Sequence, residues 1–429
     1  MVLPIFVGVF LSLILVSVPV AIAMLGSSAL FLLFLKPDDL MTVVHRMVIS
    51  IDSFPFVAIP LFLLVGELMS RSGLTERLVN LALALVGRMP GGLAQVTVLT
   101  NMFMAGISGS ASADAAATGS LLIPAMIKKG YPRPFAAAIL AAAATIGPVI
   151  PPSIPIVVYG AMANVSVGRL FIGGIVPGAV MGLFLMMTAY IAAKRYGYGA
   201  VEGPMGCGAM LQALRGAAFP LMIPIIIIGG ILGGIFTATE SADAAVVAIL
   251  LIGVLVFRQL KPRDILDSLV GSVRVLGPIM LVVSGASVFG LLLTQEQAGE
   301  LLAGVLTSIS REPVIVLATF CFLVLILGMF MEAIAILILL TPVVAPMAPQ
   351  LGIDPVHFGM AFNVALMIGL ITPPVGITMY IGLSIAKISM EDFTRAFWPY
   401  LLALIVALAL IIIFPQLVLF LPNLLMPTR

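Results

Sequence analysis

Four short breaks in otherwise apolar sequence carry the residue types that could do chemistry. Gly, Ser, Thr, Pro and acidic residues gather in them, and they span Gly106–Asp114, Thr145–Ser153, Gly328–Glu332 and Gly369–Gly376. Lipid cannot hydrogen-bond the main-chain groups that an interrupted helix sets free. Such a break therefore persists at bilayer depth only where protein buries it or where it lines a cavity. The four breaks indicate a binding site inside the membrane.

A broken helix can bind a cation through oxygen atoms alone. One half-helix ends on carbonyl groups with partial negative charge, and the next begins on free amide groups with partial positive charge. Sodium is a hard ion that favours oxygen ligands, so carbonyl and hydroxyl groups are expected to replace its water without a buried formal charge. The predicted sodium ligands are Ser108, Gly109, Ser110, Ser112, Thr145 and Gly147, with Gly328, Met329, Gly369 and Thr372 at a second, equivalent site.

The amide ends of the same breaks suit an anion. Free N–H groups at helix N-termini bind carboxylates, and in transporters built from discontinuous helices they point at the substrate near the bilayer midplane. The predicted substrate-binding residues are Ser110, Ser153, Met331, Pro373 and Thr378. The alternative is that Gly and Pro here only permit kinks and close helix packing. Four breaks at corresponding positions favour the binding site.

Two acidic residues accompany the breaks. Asp114 and Glu332 occupy matching positions, in the first turn of the second leg of each hairpin described below. A carboxylate at a helix N-terminus complements the helix dipole. Two roles stay open for this pair: setting the local field for a bound cation, or capping the helix.

Composition excludes most other classes of protein. The 429 residues are 62% hydrophobic and 9% charged, which predicts an all-α polytopic membrane protein. A net charge of +2 without a basic stripe argues against nucleic acid as a partner. Two cysteines and two histidines are too few for a metal cluster or a disulfide framework. We expect sodium as the only metal, no organic cofactor and no enzymatic activity, since no nucleophile with a base and no carboxylate pair is apparent.

The lengths of the apolar segments sort the helices, because a spanning helix needs about 20 apolar residues. Two stretches have legs too short to span and are predicted to form re-entrant hairpins, residues 92–129 and 313–349. Two others are predicted to be broken transmembrane helices, residues 134–164 and 356–386. Residues 1–35, interrupted near Pro19, favour two short legs over one long tilted helix.

The remaining apolar segments bring the predicted total to about ten spans plus two hairpins. Further spans are predicted at residues 54–70, 170–193, 219–257 with a break at 237–241, 275–294 and 398–425. Two amphipathic stretches, residues 74–86 and 296–308, are expected to lie along the membrane interface.

The order of these elements predicts two inverted repeats. Residues 1–203 form the first repeat, 204–216 a cytoplasmic linker and 217–429 the second repeat. Gly147, Pro151 and Pro152 align with Gly369, Pro373 and Pro374 at one offset. Five spans and one hairpin in each half make an odd number of crossings, so the halves have opposite orientation. Placing most of the 20 Lys and Arg residues in the cytoplasm leaves both termini periplasmic.

The motifs resemble one family. They are Ser108-Gly109-Ser110-x-Ser112-Ala113-Asp114, Ile123-Pro124-Ala125-Met126, Ile150-Pro151-Pro152-Ser153, Gly234-Ile235-Phe236-Thr237-x-Thr239-Glu240 and Gly369-Leu370-Ile371-Thr372-Pro373-Pro374-Val375-Gly376. This set resembles the large membrane subunit of the tripartite ATP-independent periplasmic (TRAP) transporters, over the whole chain. Ala238 stands where the family often has Pro.

The resemblance implies an elevator-type carrier in the bacterial inner membrane, similar in fold to the divalent anion/sodium symporters. Both hairpins and both broken helices would slide as a transport domain against a scaffold, with residues 74–86 and 296–308 as connecting arms. It implies two partners, a small four-helix membrane subunit and a periplasmic substrate-binding protein. It also implies sodium-coupled uptake of an organic acid such as a C4-dicarboxylate or a sialic acid. A self-sufficient sodium/carboxylate symporter is the alternative.

Overall fold

The computed structural model describes residues 2–16, 18–35, 40–52, 54–198 and 207–427, and it assigns these residues helices and no strand. The helices of the first half are α1 (Val2–Leu15), α2 (Val20–Leu35), α3 (Leu40–Ile51), α4 (Phe54–Arg71), α5 (Leu74–Val86), α6 (Gly92–Ser108), α7 (Ala111–Lys128), α8 (Arg133–Ala144), α9 (Ile154–Ala163) and α10 (Val167–Tyr196). The prediction of an all-helical chain is confirmed for this part of the protein.

The second half contains helices of similar lengths. They are α11 (Cys207–Leu232), α12 (Ala238–Leu251) with a π-helical end (Ile252–Val256), α13 (Pro262–Gln295), α14 (Ala298–Ile309), α15 (Pro313–Gly328), α16 (Ala333–Val344), α17 (Met347–Gln350), α18 (Pro355–Gly369), α19 (Ile377–Ala386), α20 (Met390–Ile413) and α21 (Gln416–Leu425).

The predicted hairpins and broken helices appear as pairs of short helices. Helices α6 and α7 pack against each other, as do α15 and α16. Helix α6 ends because Gly109 adopts a left-handed conformation with φ of 59°, and the side chain of Ser110 then accepts a hydrogen bond from the Ala113 N–H to start α7. Helix α8 ends at Ala144 and α9 begins at Ile154, so the predicted break at residues 145–153 is an unwound segment.

The broken helices occupy the centre of the molecule. Every residue of α8 from Phe135 to Ala144 is buried, and so is every residue of α18 from Val356 to Gly369. Helix α8 is surrounded by α6, α7, α19 and α20, and α18 by α10, α15 and α20. The alanine-rich sequence of α8 suits this position, because small side chains allow the backbones of neighbouring helices to approach closely.

Five helices of the described residues are long and apolar enough to cross a membrane individually: α10, the stretch Gly208–Leu232 of α11, α12 with its π-helical end, α13 and α20. Helices α3 and α4, whose directions differ by 51°, would make a sixth as a bent pair. The other apolar helices have 10–17 residues. The total of about ten spans stays a prediction.

The predicted span at residues 275–294 was too short. Helix α13 begins 13 positions earlier, at Pro262, and runs unbroken to Gln295. Proline suits the first turn of a helix because the missing N–H has no partner there anyway. The carboxylate of Asp264 accepts a hydrogen bond from the Lys261 N–H at 2.9 Å and stabilises this start. Polar residues before Val275 therefore extend the helix and do not form a loop.

The predicted last span at residues 398–425 was also wrong. Helix α20 begins at Met390, where the hydroxyl of Ser389 accepts a hydrogen bond from the Asp392 N–H at 3.2 Å. It ends at Ile413, and α21 is a separate short helix. Pro415 accounts for the division here, because proline lacks the N–H of the helical hydrogen bond and its ring kinks or breaks a helix, although Pro399 and Pro422 are accommodated inside α20 and α21.

Two other predicted segments have different bounds in the structure. The predicted linker 204–216 is largely helical, because α11 already begins at Cys207, and residues 204–206 lie outside the described residues. The break predicted within residues 219–257 separates α11 from α12, each of which is long enough to cross on its own. Thr237 and Glu240 cap the start of α12 reciprocally. Helices α1 (Val2–Leu15) and α2 (Val20–Leu35) are the two short helices that the sequence favoured.

We expect Gly359→Ala to destabilise the centre of the fold. An added Cβ would lie 2.1 Å from the ring of Tyr159, and overpacking of this kind costs about 1–3 kcal/mol. The measurement is the melting temperature of the purified protein in detergent. Gly216→Ala is the matched control, because that helical glycine has no heavy atom within 4 Å of an added Cβ and both changes gain the same helix propensity. Equal melting temperatures for the two variants would contradict this packing.

Candidate functional site

The first hairpin tip touches the first broken helix. A Cβ on Gly109 would lie 2.5 Å from the carbonyl oxygen of Pro152, so only glycine fits between the two segments. The Oγ atoms of Ser110 and Ser112 lie 3.2 Å apart at the start of α7. Both breaks of the first half therefore form one continuous surface of main chain and hydroxyl groups.

The unwound segment between α8 and α9 is held by polar contacts at one carbonyl. The Pro148 carbonyl accepts hydrogen bonds from the Ser153 hydroxyl and from the side-chain amide of Asn363, the latter at 2.7 Å. The Ser153 Oγ also accepts from the Ile156 N–H and caps α9. Asn363 belongs to α18, so this carbonyl joins the two broken helices.

Asp114 is completely buried against the first break. Its side chain is 0% exposed, and one carboxylate oxygen accepts a hydrogen bond from the hydroxyl of Ser108. The other oxygen, Oδ2, has no hydrogen-bond partner. A Cβ on Gly147 would lie 2.4 Å from this Oδ2, which shows that the free oxygen points into the unwound segment.

The corresponding segments of the second half meet through their main chains. A Cβ on Gly328 would lie 2.9 Å from the Cα of Gly369, and the reverse distance is 2.7 Å. The Val375 N–H donates to the Met329 carbonyl at 3.1 Å. The hydroxyl of Thr372, the fourth residue predicted to bind sodium here, donates to the Ile368 carbonyl at 2.7 Å.

Glu332 has different surroundings from Asp114. Its carboxylate accepts a hydrogen bond from the Ala335 N–H at 3.1 Å and caps α16. The side chain is exposed and faces a cavity. Glu332 is the N-cap residue before α16, so the prediction that it lies in the first turn of the second leg was wrong, whereas Asp114 does lie in the first turn of α7. The two acidic residues that match in sequence therefore do not match in environment.

The tips of both hairpins open onto this cavity, which has a volume of about 510 Å³. Its other walls come from the start of α9, the start of α19, and parts of α2, α4, α13 and α18. Of the residues predicted to bind substrate, Ser110 and Thr378 line the cavity, whereas Ser153, Met331 and Pro373 do not. Gly109 and Ser112, predicted as sodium ligands, line it too.

Four helix N-termini converge on the cavity. The first residues of α7, α9, α16 and α19 all belong to its lining, and they are Ala111, Ile154, Ala333 and Ile377. Among the described residues, the lining is otherwise mainly apolar and contains one acidic residue, Glu332, and no Lys, Arg or His. An anion in this cavity would meet the partial positive charge of amide groups at the starts of α7, α9 and α19, whereas the start of α16 is capped by the Glu332 carboxylate, which faces the same cavity.

Asn363 is a functional candidate that sequence reasoning missed. It is 1% exposed, and its Oδ1 has no hydrogen-bond partner although its amide nitrogen holds the Pro148 carbonyl. A lone asparagine in the apolar run of α18 is the signal that could have revealed it, since a buried polar group needs a partner.

Comparison with known families identifies the chain. A family model described as "Tripartite ATP-independent periplasmic transporter, DctM component" matches residues 7–417. The chain belongs to this family. The resemblance that the motifs indicated is thereby confirmed, and this DctM-family chain is a large TRAP membrane subunit.

The chain is similar in sequence to curated TRAP permeases over nearly its whole length. The chain is similar to the sialic acid TRAP transporter large permease protein SiaM of Vibrio cholerae, with 37% identity covering 97% of each chain. It is similar to the C4-dicarboxylate TRAP transporter large permease protein DctM of Pseudomonas aeruginosa, with 37% identity over 92% of this chain and 93% of that one. It is also 40% identical to the isethionate TRAP transporter permease protein DctMQ of Oleidesulfovibrio alaskensis. That match covers 95% of this chain but only 64% of the longer DctMQ protein.

A solved structure supports the fold. The Alcanivorax borkumensis YdaH transporter superposes with a TM-score of 0.66 at 18% identity, covering 89% of this chain and 90% of that one. At this identity the similarity concerns the fold alone. The chain therefore has the fold of a known transporter.

We expect Gly369→Val to abolish transport while the protein is still expressed in the membrane. The added side chain would separate the main chains at residues 328 and 369, which a Cβ alone would already crowd to 2.7 Å. The measurement is uptake by the reconstituted transporter, with the amount of protein in the membrane checked in parallel. Gly229→Val is the control, because a Cβ there meets no heavy atom within 4 Å. Uptake at the wild-type rate in the Gly369 variant would show that this contact is dispensable.

Proposed function

We propose that this large TRAP subunit imports an organic acid in a sodium-coupled symport, after a periplasmic binding protein has delivered it. The observation that carries the proposal is the convergence of helix N-termini on one cavity between the hairpin tips, among which those of α7, α9 and α19 have no acidic N-cap. Such ends bind carboxylates without a buried basic side chain. The relatives' names specify sialic acid, C4-dicarboxylates and isethionate, all of which are anions at neutral pH.

The substrate carboxylate is proposed to lie against the starts of α7 and α19. Ser110 and Thr378 line the cavity at these points and offer hydroxyl groups beside the free amides. The apolar remainder of the lining suits the carbon skeleton of the acid. A C4-dicarboxylate or a sialic acid is the proposed class of substrate.

The first break supplies oxygen ligands that suit sodium. The hydroxyl and carbonyl groups of Ser108, Gly109, Ser110, Ser112, Thr145 and Gly147 are the proposed set, with Gly328, Met329, Gly369 and Thr372 at the second site. The unpartnered Oδ2 of Asp114 supports this assignment, since a buried carboxylate oxygen without a donor suits a cation. Sodium bound here would hold the hairpin tip and the unwound segment together, which couples its binding to the shape of the cavity.

An elevator movement of the hairpins and broken helices against the scaffold is proposed as the transport step. The boundary between these parts contains contacts of small residues. A Cβ on Gly290 of α13 would lie 3.1 Å from Pro342 of α16, and a Cβ on Gly66 of α4 would lie 3.6 Å from Ser108. Small residues leave few side chains interlocked across a boundary, which favours sliding. Helices α5 and α14 would be the connecting arms.

The partners and membrane placement follow from the family arrangement. We propose a small four-helix membrane subunit and a periplasmic binding protein as partners, and the bacterial inner membrane as the location. Both termini are proposed to be periplasmic, from the distribution of Lys and Arg. The family match favours this tripartite system over a self-sufficient sodium/carboxylate symporter.

We expect uptake by the complete system in liposomes to require an inward sodium gradient. The large subunit, its small subunit and the binding protein are reconstituted, and radiolabelled succinate and N-acetylneuraminate serve as probes. Accumulation above equilibrium should appear for one probe under the sodium gradient and vanish when potassium replaces sodium. Equal accumulation in potassium would refute sodium coupling, and uptake that needs no binding protein would favour the self-sufficient symporter.

A further inference from the structure

The side chain of Asn363 joins two walls of the cavity that come from different halves of the chain. Its Nδ2 group donates to the Pro148 carbonyl at 2.7 Å, across 215 positions of sequence. Pro148 itself lines the cavity, and so does Ile154 at the start of α9. Met367 and Leu370 line it from the second half, four and seven positions after Asn363 and hence on the same face of α18. One hydrogen bond therefore connects the two walls.

The stability of the fold does not explain why asparagine occupies this position. Asn363 is 1% exposed, and its Oδ1 is buried without a hydrogen-bond partner among the described residues. A buried polar atom in this situation is unfavourable. The Pro148 carbonyl would keep a donor without Asn363, because the Ser153 hydroxyl also donates to it. An apolar side chain of similar size would thus avoid the cost and leave the carbonyl bonded.

The other broken helix leads to the same conclusion. At the offset that aligns Gly147 with Gly369, Asn363 corresponds to Ala141 of α8. An alanine side chain cannot donate a hydrogen bond, yet α8 is buried at the centre of the molecule just as α18 is. A broken helix of this fold therefore needs no asparagine at that position in order to pack.

The unwound segment is otherwise held by close packing against α10. A Cβ on Gly174 would lie 2.2 Å from the Val149 carbonyl oxygen, and one on Gly178 would lie 2.2 Å from the side chain of Ile150. Such contacts fix the distance between two elements but not the direction of a carbonyl group. The hydrogen bond from Asn363 does fix a direction, because an N–H donor lies near the lone pairs of its acceptor.

We propose that Asn363 is a positioning residue for the substrate cavity, which holds the start of α9 at the distance from the end of α18 that the substrate requires. It acts through Pro148 and does not itself line the cavity. This inference rests on the proposed function, since it takes the cavity as the place where the organic acid binds. It adds that one hydrogen bond between the two halves of the chain sets the width of this site.

Substrate affinity then depends on a residue that the substrate does not touch. Without the Asn363 amide, the Pro148 carbonyl is held by Ser153, which belongs to the same unwound segment. The segment is then free to turn relative to α18 as a unit. The amide groups at the start of α9 lose their fixed orientation toward an anion, and binding has to restrict the freedom that the segment has gained.

The test is substrate binding by the purified complex of large and small subunits, measured as thermal stabilisation in sodium chloride. A ligand that binds only the folded state raises the melting temperature, and succinate and N-acetylneuraminate serve as probes. We expect a saturable rise with one of them for the wild type. Asn363→Leu removes the donor at similar side-chain size. It should raise the half-saturating concentration of that probe about 3- to 10-fold, the range that the loss of one hydrogen bond supports.

The melting temperature without a probe separates positioning from a structural role. Asn363→Leu should melt no lower than the wild type, because the unpartnered Oδ1 is gone. Asn363→Ala also lacks the donor but leaves a space, so it should melt lower and still raise the half-saturating concentration as the leucine variant does. Loss of the donor, and not the change in volume, is common to both variants.

Asn101→Leu is the matched control for a buried asparagine. Both ends of the Asn101 amide are hydrogen-bonded within the first hairpin, to Thr97 and Thr118, and Asn101 does not line the cavity. Its replacement should therefore lower the melting temperature and leave the half-saturating concentration unchanged. The two asparagines are expected to show opposite effects on stability and on binding.

An unchanged half-saturating concentration in Asn363→Leu, or in Asn363→Ala if the leucine variant does not fold, would overturn this assignment and leave the proposed function intact. An equal increase in Asn101→Leu would also overturn it, because the effect would then follow from the loss of any buried amide. A wild-type complex that neither probe stabilises would instead contradict the proposed class of substrate, and with it the basis of this inference.

Discussion

The absence of hydrogen-bonding partners in lipid is the constraint on which this structure depends. Each unwound segment frees main-chain groups that only the protein can satisfy. The breaks are accordingly placed at the centre, where α8 and α18 are buried over almost their whole length. They also contact one another: Gly109 lies against Pro152, and Gly328 against Gly369. The surrounding helices supply the enclosure that makes such segments possible.

The proposed function requires one site that attracts charges of both signs. Helix N-termini that face the cavity present amide groups to an anion, whereas the carboxyl end of α6 and Asp114 present oxygen to a cation. Among the residues that the structure describes, no basic side chain lines the cavity, and one acidic side chain, that of Glu332, does. Backbone dipoles are fixed in place by the fold, so they cost little reorganisation when a ligand arrives. A site built from backbone dipoles suits the anions in the relatives' names, because these anions are alike in charge and different in shape.

Differences from the predicted boundaries have local physical causes. The sequence was divided by apolar composition, but Pro262 and the capping carboxylate of Asp264 start α13 in a polar stretch before Val275. Conversely, the apolar run after Trp398 contains Pro415, which divides it into α20 and α21. Leu74–Val86 matched its predicted bounds because Gly73 and Gly87 flank an uninterrupted amphipathic pattern. Apolar composition predicts where these helices lie, whereas capping residues and proline determine the residues at which they begin and end.

The sequence by itself determined the helical class, the positions of the breaks and the family, because glycine, proline and serine at fixed spacing restrict the backbone locally. Only the tertiary structure decided the surroundings of each break. Asp114 and Glu332 are equivalent along the chain, yet one is buried with a free oxygen at Gly147 and the other caps a helix beside a cavity. Asn363 likewise acquires its role only because α18 lies against Pro148. Burial and the identity of neighbours come from contacts between distant segments, and spacing along one chain does not encode them in a readable way.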